Sequence, residues 1–201
     1  MNVTHYLLYI TEVNKTYSLG IAVQPTTSNI IDLFNRLFST KYNTVLECGG
    51  EDPLYIPGDP NRLIFARGFI QSAFHEIAHW CIAGEKRRML NDFGYWYIPD
   101  GRSPIVQKRF EKVEIKPQAL EWVFSSAAGM PFFVSTDNLS GNITSDIRFK
   151  IEVQKSALNL IKKGLPKRAE LFKKNLLEQY SKDRTFEHYW EKVENKNLLP
   201  A

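Results

Sequence analysis

The sequence predicts an α+β domain: a small mixed sheet packed against several helices, with a metal site on a central helix. Three observations predict it. Short extended stretches broken by turn residues fill positions 44–65. Helical patterns lie on both sides of them. One of those helical segments contains His75-Glu76-Ile77-Ala78-His79, an H-E-x-x-H match.

In chain order, residues 1–28 carry weak structural signals. Leu7 to Ile10 could form a short strand, and Gln24-Pro25-Thr26-Thr27-Ser28 reads as a linker. The segment is expected to be an N-terminal extension, flexible or loosely docked, ahead of one catalytic domain spanning 29–201. From Ser28 an amphipathic helix is expected, with Ile30, Ile31, Leu33, Phe34, Leu37 and Phe38 apolar. Thr44–Glu47, Leu54–Ile56 and Leu63–Phe65 read as strands, separated by Gly49-Gly50, Pro57-Gly58 and Asp59-Pro60-Asn61. A mostly apolar helix follows over 68–83, with Gly84 as its expected C-terminal cap. Residues 85–102 read as a loop with Phe93, Tyr95, Trp96 and Tyr97 clustered in it. Ser103-Pro104 looks like a helix start. A separate helix is expected from Glu114 to Ala128, with Pro117 tolerated in its first turn and Gly129 near its end. Two longer helices, about 145–163 and 166–180, complete the reading.

Composition narrows the class. The chain has 201 residues, 43% hydrophobic and 24% charged, which suits a globular domain and excludes a fully disordered one. No apolar run approaches the ~20 residues of a membrane span, and the first 28 residues do not read as a secretory signal. Cys48 and Cys81 form no C-x-x-C pair, so a reducing, cytoplasmic setting is expected. Residues 1–147 hold 13 Lys/Arg against 15 Asp/Glu, a net of −2, whereas 148–201 hold 13 against 7, a net of +6. That basic C-terminal part is a solvated helix face or a docking surface. No helix-turn-helix, zinc-finger or RNP pattern supports nucleic acid, and neither DNA nor a membrane is an expected partner.

The chemistry centres on His75 and His79. Residues i and i+4 of a helix share one face, so the two imidazoles can grip a single ion. From composition, roughly 0.006 chance matches to this motif are expected. The helix around it is apolar, and burying two histidines and Glu76 there is costly unless they are paired or bind a cation. An open site needs a third protein ligand. Glu114, opening the next apolar helix, is the first choice; Glu121, seven residues on, is the reserve, then Glu85, then Asp92, Asp100 and Asp137. Two His and one Glu suit zinc, with Glu76 as the general base of a peptidase or ribonuclease, and equally suit ferrous iron. None of the four histidines is followed by the His-x-Asp/Glu spacing of common oxoglutarate-dependent oxygenases, so any hydroxylase site must be built on helices.

The stretch Phe65-Ala66-Arg67-Gly68-Phe69 through His75-Glu76-Ile77-Ala78-His79-Trp80-Cys81-Ile82-Ala83-Gly84 resembles the bacterial elongation factor P hydroxylases. So do Asp92-Phe93-Gly94-Tyr95-Trp96-Tyr97, Pro99-Asp100-Gly101-Arg102, Val113-Glu114 and Lys116-Pro117-Gln118-Ala119-Leu120. The resemblance covers about residues 29–180. It implies a non-haem iron(II) enzyme that uses dioxygen, with an unidentified reductant, to hydroxylate the β-lysylated lysine of elongation factor P. It also implies a fold similar to that of a metal-dependent ribonuclease and related hydrolases. Carried over, His75, His79 and Glu114 become metal ligands, and Glu76 stays in the site. An ammonium-bearing substrate calls for carboxylates or aromatic faces. Asp92, Tyr95, Trp96, Asp100 and Gln118 are the expected substrate contacts. Lys86-Arg87-Arg88 is either surface charge or a contact for an acidic partner.

Overall fold

A computed structural model describes residues 24–95, 103–135, 143–181 and 183–196. The possible strand at 7–10 and the candidates Trp96, Asp100 and Asp137 fall outside these residues. Helix α1 (Thr27–Tyr42) begins one residue before the expected Ser28, because Thr26 caps it: its side chain accepts from the Asn29 N–H. Asn43, in the left-handed region, ends it. The chain then enters β1 (Thr44–Cys48), β2 (Leu54–Ile56) and β3 (Asn61–Phe65). The order in the sheet is β1-β3-β2, with β1 parallel and β2 antiparallel to β3, so the sheet is mixed as expected. Leu46, Leu63 and Phe65 point into the core while their neighbours face outward, the alternation of a sheet covered on one side.

Helix α2 (Ile70–Ile82) packs on β3 and carries the two histidines. Gly84 is not its cap. The terminal residue is Ala83 in an extended conformation, and cations satisfy the last carbonyls instead. Arg168 Nη2 donates to the Trp80, Cys81 and Ala83 carbonyls, and Arg88 Nη1 donates to Ala83 as well. The described part of the expected 85–102 loop contains two 3₁₀ turns, Arg87–Met89 and Asn91–Gly94.

The largest departure is α3. Residues Pro104–Ala127 form one 24-residue helix, not two, with Ser103 as its cap and Pro117 inside it. Proline lacks the N–H that would serve the Val113 carbonyl. Val113 lies on the solvent side at 38% exposure, where water can take over that bond, and the helix continues. It ends where Gly129, at φ 68°, permits the Met130 N–H to reach back to the Ser125 carbonyl.

Helices α4 (Ile143–Lys163) and α5 (Lys167–Tyr180) lie close to the expected spans. A further helix, α6 (Asp183–Lys196), was not expected. It docks on α3 through Trp190, whose indole N–H donates to Ser126, and through Tyr189, whose hydroxyl accepts from Trp122. Helix α3 thus has α2, α4, α5 and α6 as neighbours. An aromatic core of Phe34, Phe38, Phe74, Trp80, Phe124 and Phe172 joins α1, α2, α3 and α5. Each ring removed from water contributes about 2–3 kcal/mol, so the helix bearing the histidines is held firmly. No helix among the described residues is long and apolar enough to cross a membrane.

Candidate metal centre

Helix α2 turns its apolar residues into the core: Ala73, Phe74, Ile77, Ala78, Trp80 and Cys81 are buried. His75 and His79 emerge together on the remaining face, with side chains 26% and 13% exposed. Their Nε2 atoms are 3.1 Å apart. Glu114 of α3 straddles the pair. Its Oε2 is 3.2 Å from His75 Nε2, and its Oε1 is 3.3 Å from His79 Nε2. These three residues each offer one donor atom, all within 4.8 Å of one another.

The arrangement fits a divalent cation. Two donors ~2.1 Å from one ion and ~100° apart are ~3.2 Å from each other, close to the separations here. Glu114 Oε2 is buried and makes no hydrogen bond, despite the nearby imidazole. A buried carboxylate oxygen left so is costly unless a cation meets it.

The electrostatics agree. Burial alone would push the His75 imidazole down, yet Glu114 and Glu121 together hold it well above the ordinary value of 6.5. Burial would likewise raise Glu114, but His79 and His75 keep its carboxyl well below the usual range. The cluster therefore favours positive charge, whether as a proton or as a metal ion. Glu76, buried one residue along from His75, is raised by burial, with His75 and His79 opposing the shift.

The reserve candidates separate cleanly. Glu121 Oε2 lies 2.8 Å from His75 Nδ1, the nitrogen away from Glu114 and His79. It thus meets the histidine and not the space between the three donors. Glu85 sits on the exposed turn after α2.

Among the expected substrate contacts, Asp92 Oδ1 accepts from the backbone N–H of Tyr55 at 2.8 Å, a structural duty on the edge strand β2. Gln118 holds the backbone of Ser135 from both ends of its amide, donating to the carbonyl at 2.6 Å and accepting from the N–H at 3.1 Å. Tyr95, 37% exposed, is at the mouth of the site, with its ring edge-on to His79 at 6.1 Å. Phe93 lines the same side. Its ring is parallel to that of His79 at 6.4 Å and stacked on Tyr55 at 4.3 Å. Asp92 and Phe93 both have positive φ, which is uncommon for non-glycine residues and aims this short segment at the histidines. Of the basic run, Arg87 bonds the Phe93 carbonyl and covers the Tyr95 ring at 4.4 Å, and Arg88 serves the end of α2. Two of its three charges are therefore used in holding the fold.

An α+β domain with two histidines and a buried glutamate converging on one point has the build of a metal-dependent enzyme. Comparison with known proteins makes this specific. A family described as elongation factor P hydroxylase matches residues 33–189. The elongation factor P lysine hydroxylase of Haemophilus influenzae is 52% identical over 157 residues, which cover 76% of this chain and 88% of that protein. The chain belongs to the elongation factor P hydroxylase family.

Proposed function

We propose that this protein is an iron(II)-dependent hydroxylase that acts on the β-lysylated lysine of elongation factor P. The observation that carries the reading is the His75–His79–Glu114 cluster inside a chain 52% identical to a protein named for that activity. Side chains alone cannot oxidise an unactivated C–H bond. Ferrous iron held by these three residues would supply that redox chemistry, which zinc lacks. Overall, one oxygen atom of dioxygen would enter the C–H bond and the other would leave as water, with two electrons from an external reductant and two protons from solvent.

The chain's own residues supply the rest. His75, His79 and Glu114 would bind the ion through three donors on one side and leave the other side for substrate. Glu76, whose carboxyl burial keeps protonated more readily than usual, is placed to hold or deliver a proton beside the two histidines. Phe93 and Tyr95 form an apolar wall next to His79, suited to the methylene stem of a long lysine side chain. Arg87 lies over the Tyr95 ring, so the terminal ammonium is expected away from that face.

The test is mass spectrometry of β-lysylated elongation factor P after incubation with the protein, ferrous iron, a reductant and air. A gain of one oxygen atom on the modified lysine is expected, and its loss under nitrogen. Zinc-dependent cleavage of peptide or RNA with no such gain would replace this reading by hydrolysis with Glu76 as general base.

A further inference from the structure

We propose that Glu121 is a positioning residue: it holds His75 in the one tautomer and ring orientation that can take a metal ion. The inference rests on the reading that His75 binds the ion, and it adds a residue that the three-donor cluster does not contain.

The argument begins with the imidazole. A neutral ring carries one N–H and one lone pair, and only the lone pair can bind a cation. His75 Nε2 faces Glu114 and His79, so this nitrogen must bear the lone pair. The proton then sits on Nδ1 and needs an acceptor in a largely buried place. Glu121 Oε2, 2.8 Å away with its side chain only 9% exposed, is that acceptor. The opposite tautomer would aim an N–H at His79 Nε2 and at the intended ion position, and would leave Glu121 facing a lone pair.

Helix geometry explains how one element reaches both nitrogens. Glu114 and Glu121 are seven residues apart on α3, two turns along the same face. One carboxylate meets Nε2 and the other meets Nδ1, so the ring is held at both ends by a single helix. Among the described residues, no carboxylate pairs with the Nδ1 of His79, so His75 is the anchored member of the pair. Burial raises the Glu121 carboxyl and His75 opposes that shift; its ionised form adds negative charge beside the site, which lowers the cost of burying a divalent ion. Carboxylates behind metal-bound histidines typically change metal affinity by about 10–100-fold.

The experiment uses zinc with the full chain and needs no elongation factor. Zinc affinity is measured by competition with a chelating dye for the unaltered protein, Glu121→Gln and Glu121→Leu. Long-range proton–nitrogen NMR of the zinc-loaded forms reports which nitrogen of His75 carries hydrogen. Glu121→Gln keeps an acceptor but loses charge, so a loss of about tenfold in affinity with a retained Nδ1–H signal is expected. Glu121→Leu removes both, so a loss nearer 100-fold and rapid exchange of that proton are expected. Zinc binding by Glu121→Gln within twofold of the unaltered chain overturns the proposal, even if the leucine variant fails to fold. Equal losses in both variants with an unchanged Nδ1–H signal overturn it too, because they mark a merely structural contact. If the unaltered chain binds no zinc, the metal reading and this proposal fall together. If the zinc effects hold but elongation factor P gains no oxygen, only the hydroxylase reading falls.

Discussion

Arg168 and Trp80 meet twice: the guanidinium lies 4.5 Å over the indole ring, and its Nη2 donates to the Trp80 carbonyl at 2.8 Å. The same nitrogen serves Cys81 and Ala83, so one side chain of α5 closes the end of the histidine-bearing helix. Hydrogen bonds to a charged group contribute about 1.5–3 kcal/mol when partly buried, and the ring contact adds about 1 kcal/mol. Replacing Arg168 by Met is expected to lower unfolding free energy by roughly 2–4 kcal/mol. Urea denaturation measures this; a change below about 0.5 kcal/mol would show that water replaces the cation without penalty.

Glu114→Ala tests the cluster directly. It leaves two histidines and no third protein donor, so dialysed protein is expected to retain less than about a hundredth of the metal affinity of the unaltered chain. Circular dichroism should still show a folded protein, because the aromatic core does not depend on the ion. Full metal content in the variant would move the third donor elsewhere.

Metal affinity should depend on pH in a defined direction. In the metal-free protein His75 is held well above the ordinary histidine value of 6.5, so near neutral pH it carries a proton that the ion must displace. Affinity is expected to rise with pH, by up to about tenfold per unit, until the folded-state pKa of His75 is passed. Stability of the metal-free protein runs the other way. Because the folded pKa exceeds the unfolded one, the contribution from His75 is complete below pH 6.5 and is lost as pH rises through the folded value. Zinc titrations and thermal melts of metal-free protein between pH 6 and about pH 9 would check both slopes. A pH-independent zinc affinity would contradict the raised His75.

Gln118 joins α3 to the chain at Ser135 through two hydrogen bonds. Gln118→Leu keeps the buried volume but leaves both backbone groups without that amide, at a cost of about 1–3 kcal/mol. The Ser135 amide is expected to exchange with deuterium faster by about tenfold or more. Unchanged exchange would mean that the segment is held from elsewhere.

Much of this fold was legible because local pattern and final position agree. The three strands sit between clear turn residues, and α2 is apolar along most of its length. Two features depart from the local pattern for a reason that lies in tertiary packing. Pro117 reads as a helix beginner, but α3 runs through it, since the freed carbonyl belongs to an exposed turn. Gly84 reads as a cap, but Arg168, over eighty residues away, does that work. Helix α6 does have a signal in the chain: Phe186, Tyr189, Trp190 and Val193 recur at helical spacing. In the site, spacing places His75 and His79 on one face and no more. Which nitrogens Glu114 and Glu121 meet depends on how α2 and α3 pack, and no periodicity in the chain encodes that. Charge alone offers Asp92 as a substrate contact, and no periodicity shows that one of its oxygens accepts from the Tyr55 N–H.

The packing of α2 against α3 gives the centre a further property. Both histidines ride on one rod and both facing carboxylates on the other, and Phe74 against Phe124, ring centroids 6.3 Å apart, sets the gap between those rods. Trimming either ring would let the rods drift by a fraction of an ångström, and cation retention would register that drift well before the protein unfolds. Uptake of an ion at this cluster would therefore be a ruler for the interior.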